Sequence, residues 1–97
     1  MRRNARVDTN QPEIVEALRQ VGAHVLHTYQ LKNAFDILVG FRGQLYIMEI
    51  KDGNKPPSRH KLTKGELKCK AGFEAVDVTY HVVLSVEDAL RVIGATE

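Results

Sequence analysis

Two apolar runs, at 35–39 and 44–51, are held apart only by Gly40-Phe41-Arg42-Gly43. Glycine at both ends of so short a connection makes a tight turn, which obliges the two runs to be antiparallel neighbours in one sheet. With the turn centred on Phe41 and Arg42, Gly40 faces Gly43, Asp36 lies opposite Ile47, and Asp36 and Glu49 become diagonal neighbours on one face. The second run changes character along its length. Leu45 and Ile47 are followed on their own face by Glu49 and Lys51, while Tyr46, Met48 and Ile50 occupy the other. A buried strand that turns charged at its end presents those charges at one edge of the fold.

Around this hairpin the remaining signals give an α-β-β-β-α-β-α order. Asn10-Gln11-Pro12-Glu13 opens a first helix, with Asn10 as N-cap, Pro12 in the first turn and Glu13 at the capping-box position. Ile14, Leu18 and Val21 share one face, Gly22 ends the helix, and residues 23–29 read as a first strand. Residues 52–58 form a loop. Thr63-Lys64-Gly65-Glu66 is a capping box starting a second helix, expected to turn Leu67 and Ala71 inward and to stop near Gly72. A strand at 79–84 and a helix capped by Ser85, packing through Ala89, Leu90 and Ile93, complete one α/β domain spanning 1–97. At 97 residues the chain can bury one modest core but not two. No apolar run reaches membrane-spanning length, no secretory signal follows Met1, and the lone Cys69 forms no internal disulfide. The expected setting is therefore cytoplasmic.

The polar end of the hairpin carries the chemistry. Two carboxylates with open access from solvent suit Mg²⁺, a hard cation that takes oxygen ligands and keeps several waters. Lys51 shares their face and can orient a water or stabilise a pentacovalent phosphorus. Without a cation, at least one of the two acids should have a raised pKa. A plain ion pair at a solvated strand end would use the same residues. The four histidines show no zinc-like spacing. Seven Lys or Arg against two acids fall between Lys51 and Lys70. Such a patch suits a polyanion, or is a solvated helix face. Lys61, Lys64 and Lys68 are expected to form a stripe along the second helix, with Lys32, Lys55 and Arg59 as further phosphate contacts, and residues 1–9 form a basic arm with Arg2, Arg3 and Arg6. No interleaved aromatics point to base stacking, which favours recognition of backbone or shape.

Asp36, then Glu49-Ile50-Lys51, resembles the D…ExK signature of the PD-(D/E)XK nucleases. The segment from Gly22 to Glu66 is similar to the small stand-alone VRR-NUC nucleases. It shares a Gly-Ala-x-Val strand, an aspartate strand, a glycine hairpin, Glu-x-Lys, a Lys-rich loop and a Leu-Thr helix start. Phe35 stands where that family usually has proline, and Glu66 where it often has glutamine. The resemblance implies a restriction-endonuclease-like mixed sheet flanked by helices and Mg²⁺-dependent cleavage of DNA, with Mn²⁺ substituting. It implies Asp36, Glu49, the Ile50 carbonyl and Glu13 as metal ligands, and Asp36, Glu49, Lys51 and Glu13 as the catalytic set. Glu13 equally fits a helix-capping role. The implied substrate is branched DNA such as a Holliday junction, and the implied assembly a homodimer or larger. The alternative is a DNA-binding module of the same fold without the chemistry; a third class, a protein-interaction subunit, would make the charged sheet end mere surface.

Overall fold

The computed structural model describes residues 8–95. Arg2, Arg3 and Arg6 of the expected arm lie outside them. Helix α1 (Gln11–Gln20) leads into strands β1 (His24–His27), β2 (Ile37–Phe41) and β3 (Gln44–Ile50); then follow α2 (Lys64–Glu74), β4 (Tyr80–Val83) and α3 (Val86–Val92). The expected order is thus observed, with one 3-10 turn at Pro57–His60 in the loop before α2. Helix α1 ends through glycine chemistry: Gly22 has φ 100°, its N–H donates to Arg19, and the Ala23 N–H reaches back to Leu18.

The sheet order is β1-β2-β3-β4, antiparallel through β3 and parallel between β3 and β4, so it is mixed. A parallel pair needs a crossover, which α2 supplies. One sheet face, with Val25, Ile37, Val39, Phe41, Met48, Ile50 and Val83, packs on Ile14 and Leu18 of α1 and Ala89 of α3, with Ile93 just beyond it. The other face carries Ile47, Glu49 and Tyr80 and lies on the α2 side.

The hairpin register differs from expectation by two residues. Phe41 pairs with Gln44 and Ile37 with Met48, so the turn is centred on Arg42 and Gly43, with φ of 50° and 81°. The expected turn would have put Phe41 at a loop tip. Here it is 8% exposed, on the core face beside Val39. Burying a phenylalanine is worth about 2–3 kcal/mol, more than the roughly 1–2 kcal/mol cost of a left-handed Arg42. The Arg42 guanidinium also sits 4.8 Å from the Phe41 ring centroid.

Helix α2 likewise departs from the expected pattern. Leu67 is 52% exposed, Ala71 is exposed, and the helix continues through Gly72 to Glu74. The half-buried residues are instead Gly65, Glu66, Cys69, Lys70 and Phe73. Phe73 and Tyr80 both meet Phe35 edge-on, at 6.2 and 6.4 Å. The helix crosses the charged end of the sheet, so a polar residue faces inward where a leucine was expected.

Candidate active site

Asp36 stands one residue before β2, held from both sides. Its carbonyl accepts from Thr28 N–H at 2.8 Å and its N–H donates to Met48 at 3.1 Å. The Ile37↔Met48 register brings it beside Glu49, closer than the diagonal placement expected from sequence. The Ile50 N–H donates to Asp36 Oδ2 at 2.7 Å, tying the first carboxylate to the strand that carries the second. Lys51 N–H donates to Val83 across the parallel pair, so the Ile50 peptide points away from β4 and toward Asp36.

Glu49, only 4% exposed, approaches Lys51 Nζ at 3.4 Å. On its other side Lys51 meets Glu66 Oε1 at 3.3 Å. Glu66 performs two tasks at once. Its backbone N–H donates to Thr63 Oγ1 at 3.1 Å and its Oε1 accepts from Thr63 N–H at 3.0 Å, completing the capping box. The cap therefore fixes the carboxylate that holds Lys51. Sequence exposed the cap; the second task requires the loop at 51–63 to fold α2 back over β3.

Three carboxyl groups share one ammonium here, and the charges do not balance. Burial, opposed by the Ile50 hydrogen bond and Lys51, leaves Asp36 raised to about 6. Burial and the neighbouring charges of Asp36 and Glu66 push Glu49 up to about 9. Burial works against a charged Lys51, but Glu49 and Glu66 outweigh it and hold its pKa above the usual value. For Glu66 burial is outweighed by the Thr63 amide, Glu49 and Lys51, which together lower its pKa. Lys51 and Glu66 are thus the ionised pair, joined by a hydrogen bond, and the 3.4 Å approach to Glu49 is to a carboxyl group that tends to keep its proton.

These groups line an open cleft of about 660 Å³ together with Asp8, Lys32, Asn33 and Thr63. Asn33, with φ 61°, leans on the start of α2 so closely that a Cβ at Gly65 would overlap its side chain. Gly65, a weak helix former by propensity, is what lets the cleft wall close.

Of the expected site residues, Asp36, Glu49, Lys51 and the Ile50 peptide come together. Glu13 does not. It lines a separate depression with Asp52 and Asp88. The reason is local: the Asn10 amide donates to the Lys51 and Leu84 carbonyls instead of capping α1, which pins the helix start to that side. The acid reaching the cleft from the N-terminal side is Asp8, whose charge helps raise Asp36. Lys32, Lys55, Arg59, Lys61, Lys64 and Lys68 are all exposed. Lys61 precedes the helix, however, so only Lys64 and Lys68 share its surface.

The donor set fits a hard divalent cation: oxygen only, with a buried and a half-buried carboxyl group whose mutual repulsion a positive ion would relieve. Among the described residues no group of three or more His, Cys, Asp or Glu side chains is placed to hold a metal ion.

The α-β-β-β-α-β-α order and the mixed sheet define an α/β fold. More narrowly, the chain has the fold of a solved structure described as a VRR_NUC domain, with a TM-score of 0.62 and 21% identity, over 93% of this chain and 100% of that one. No protein-family model and no curated protein gives a match to the sequence. Among the described residues no helix is long and apolar enough to cross a membrane.

Proposed function

We propose that this chain is a divalent-metal-dependent endodeoxyribonuclease that hydrolyses phosphodiester bonds. The observation carrying this reading is the convergence of buried Glu49, half-buried Asp36 and Lys51 at the open end of β3, on a VRR-NUC fold. Asp36, Glu49 and the Ile50 carbonyl would hold Mg²⁺ or Mn²⁺, which supplies phosphate polarisation and an acidified water. Asp36 is oriented for this by the Ile50 N–H. Lys51, kept charged between Glu49 and Glu66, donates a proton-bearing nitrogen toward the cleft, where it stabilises charge developing on phosphorus oxygens. Lys32 at the cleft, with Lys55, Arg59, Lys61, Lys64 and Lys68 beyond it, supplies phosphate contacts for the strand. Branched DNA as preferred substrate, and action as a homodimer or larger, are parts of the proposal that rest on likeness to VRR-NUC proteins.

The test is a panel of single-stranded, duplex, flap and four-way DNA incubated with purified protein and Mg²⁺ or Mn²⁺. Cleavage that EDTA stops is the expected result. DNA binding without cleavage under any metal would make the chain a binding module of this fold instead.

A further inference from the structure

A second cavity lies between α1 and the end of β1. It measures about 680 Å³ and is lined by Gln11, Pro12, Val15, Glu16, Arg19, Gln20, His27 and Tyr29. Gln11 is 2% exposed, yet neither its Oε1 nor its Nε2 has a hydrogen-bond partner among the described residues. A buried amide left unpaired costs about 1–3 kcal/mol, which a polar group entering the cavity would offset. The terminal torsion of a glutamine is broad, and turning this amide toward the cavity breaks no existing bond.

The rest of the lining narrows the class of ligand. His27 and Tyr29 meet edge to face, with ring centroids 5.7 Å apart at 76°, and His27 is exposed. Flat aromatic rings of this kind accept a planar guest. Arg19 donates to the Val25 carbonyl at 3.2 Å, Glu16 lines the same cavity, and none of the expected phosphate-binding residues reaches it. The opposed charges of Arg19 and Glu16 make a poor trap for a bare anion. Tyr29 also lines the carboxylate cleft, so the two cavities share a wall.

We propose that this cavity is a nucleobase pocket, taking one unstacked base from a strand in the carboxylate cleft, with Gln11 reading the base edge, Tyr29 stacking on its face and His27 closing the pocket edge-on. A primary amide presents one donor and one acceptor side by side, which matches the N6/N7 edge of adenine. Stacking on an aromatic ring contributes about 1–3 kcal/mol per base, comparable with the few kcal/mol needed to extrude a base. Sequence suggested no stacking, because His27 and Tyr29 form no longer interleaved series; the fold sets the pair beside an amide from α1. The proposal rests on the nuclease reading for its strand, but its test does not depend on catalysis.

The test follows the Gln11 side-chain amide by ¹H–¹⁵N NMR, identified by its loss in Gln11→Met. Titration with dAMP should shift that signal and the His27 and Tyr29 rings, dTMP should do so more weakly, and deoxyribose 5-phosphate should not. In Gln11→Met the fold should melt no lower, because the lost amide had no partner, while dAMP binds about tenfold more weakly. Equal shifts with deoxyribose 5-phosphate, no Gln11 response to dAMP, or undiminished dAMP binding by Gln11→Met would each overturn the pocket. Metal-dependent cleavage measured alongside separates the two ideas. DNA cut without a Gln11 response sinks the pocket alone, and dAMP seated without any cleavage sinks the nuclease alone.

Discussion

Replacing Glu49 with glutamine should stabilise the metal-free protein at alkaline pH and modestly destabilise it in acid, where the weakened Lys51 contact is no longer offset. Glu49 is pushed up to about 9 by burial first and then by Asp36 and Glu66, against an ordinary value of 4.5. Between those two pH values the folded chain binds more protons than the unfolded chain, so wild-type stability must fall as pH rises. Asp36, raised from 3.8 to about 6, adds a loss of the same sign at lower pH. At pH 8 the Glu49 shift alone corresponds to roughly 4–5 kcal/mol of destabilisation. Glutamine keeps the shape and sheds the titration, but weakens the contact with Lys51, at a cost of about 1–3 kcal/mol. The net gain is therefore roughly 1–4 kcal/mol, or about 5–30 °C in Tm for a domain of this size. Thermal melts in EDTA at pH 5 and pH 8 measure it. Wild-type stability that rises from pH 5 to pH 8, together with a Glu49→Gln variant melting well below it at pH 8, would refute the reasoning; Glu49 would then serve the fold as an ion-pair partner.

Lys51→Ala should lower cleavage by about 10²–10³-fold while DNA affinity in Ca²⁺ stays close to wild type, and an unchanged cleavage rate removes Lys51 from the mechanism. Glu66→Gln should keep the capping box, since glutamine serves at that position, while lowering the pKa of Glu49 and Asp36 in a ¹³C carboxyl titration; an unmoved titration means that Glu66 does not set their charge. Gly65→Ala should destabilise the fold by about 1–3 kcal/mol, and Asn33→Gly should restore most of that loss. No rescue in chemical denaturation would show that the Asn33 contact is not what fixes the glycine. Lys64→Ala with Lys68→Ala should weaken binding to all DNA sequences alike and reduce the salt slope by roughly 2, and a loss confined to one sequence would contradict phosphate contact.

Much of the fold could be read from the chain because its signals are local. The glycine hairpin, the Gly22 helix stop, the Thr63 and Ser85 caps and the polar end of β3 each depend on a few adjacent residues. So did the convergence of Asp36, Glu49 and Lys51, which survives the two-residue change in register because both registers leave the carboxyl groups on one face. What was hidden depended on partners distant in sequence. The register itself was decided by burial of Phe41 against helices elsewhere in the chain. Leu67 was misplaced because α2 packs over charge, not over a continuous apolar surface. Asn10 and Glu13 spell a capping box, but Asn10 is claimed by carbonyls at Lys51 and Leu84, and Glu13 turns away from the cleft. Glu66 was legible as a cap and as a departure from the family's usual glutamine, but its contact with Lys51 depends on the loop.

Isothermal titration of Mn²⁺ into the protein at pH 7, in buffers of different ionisation enthalpy, tests the carboxylate site most directly. One ion should bind with release of up to about one proton, because Glu49 and part of Asp36 hold protons that the ion must displace. Asp36→Asn and Glu49→Gln should each weaken that binding by about tenfold or more. Failure to bind, or binding that both variants retain undiminished, would contradict the assignment of Asp36 and Glu49 as the metal site.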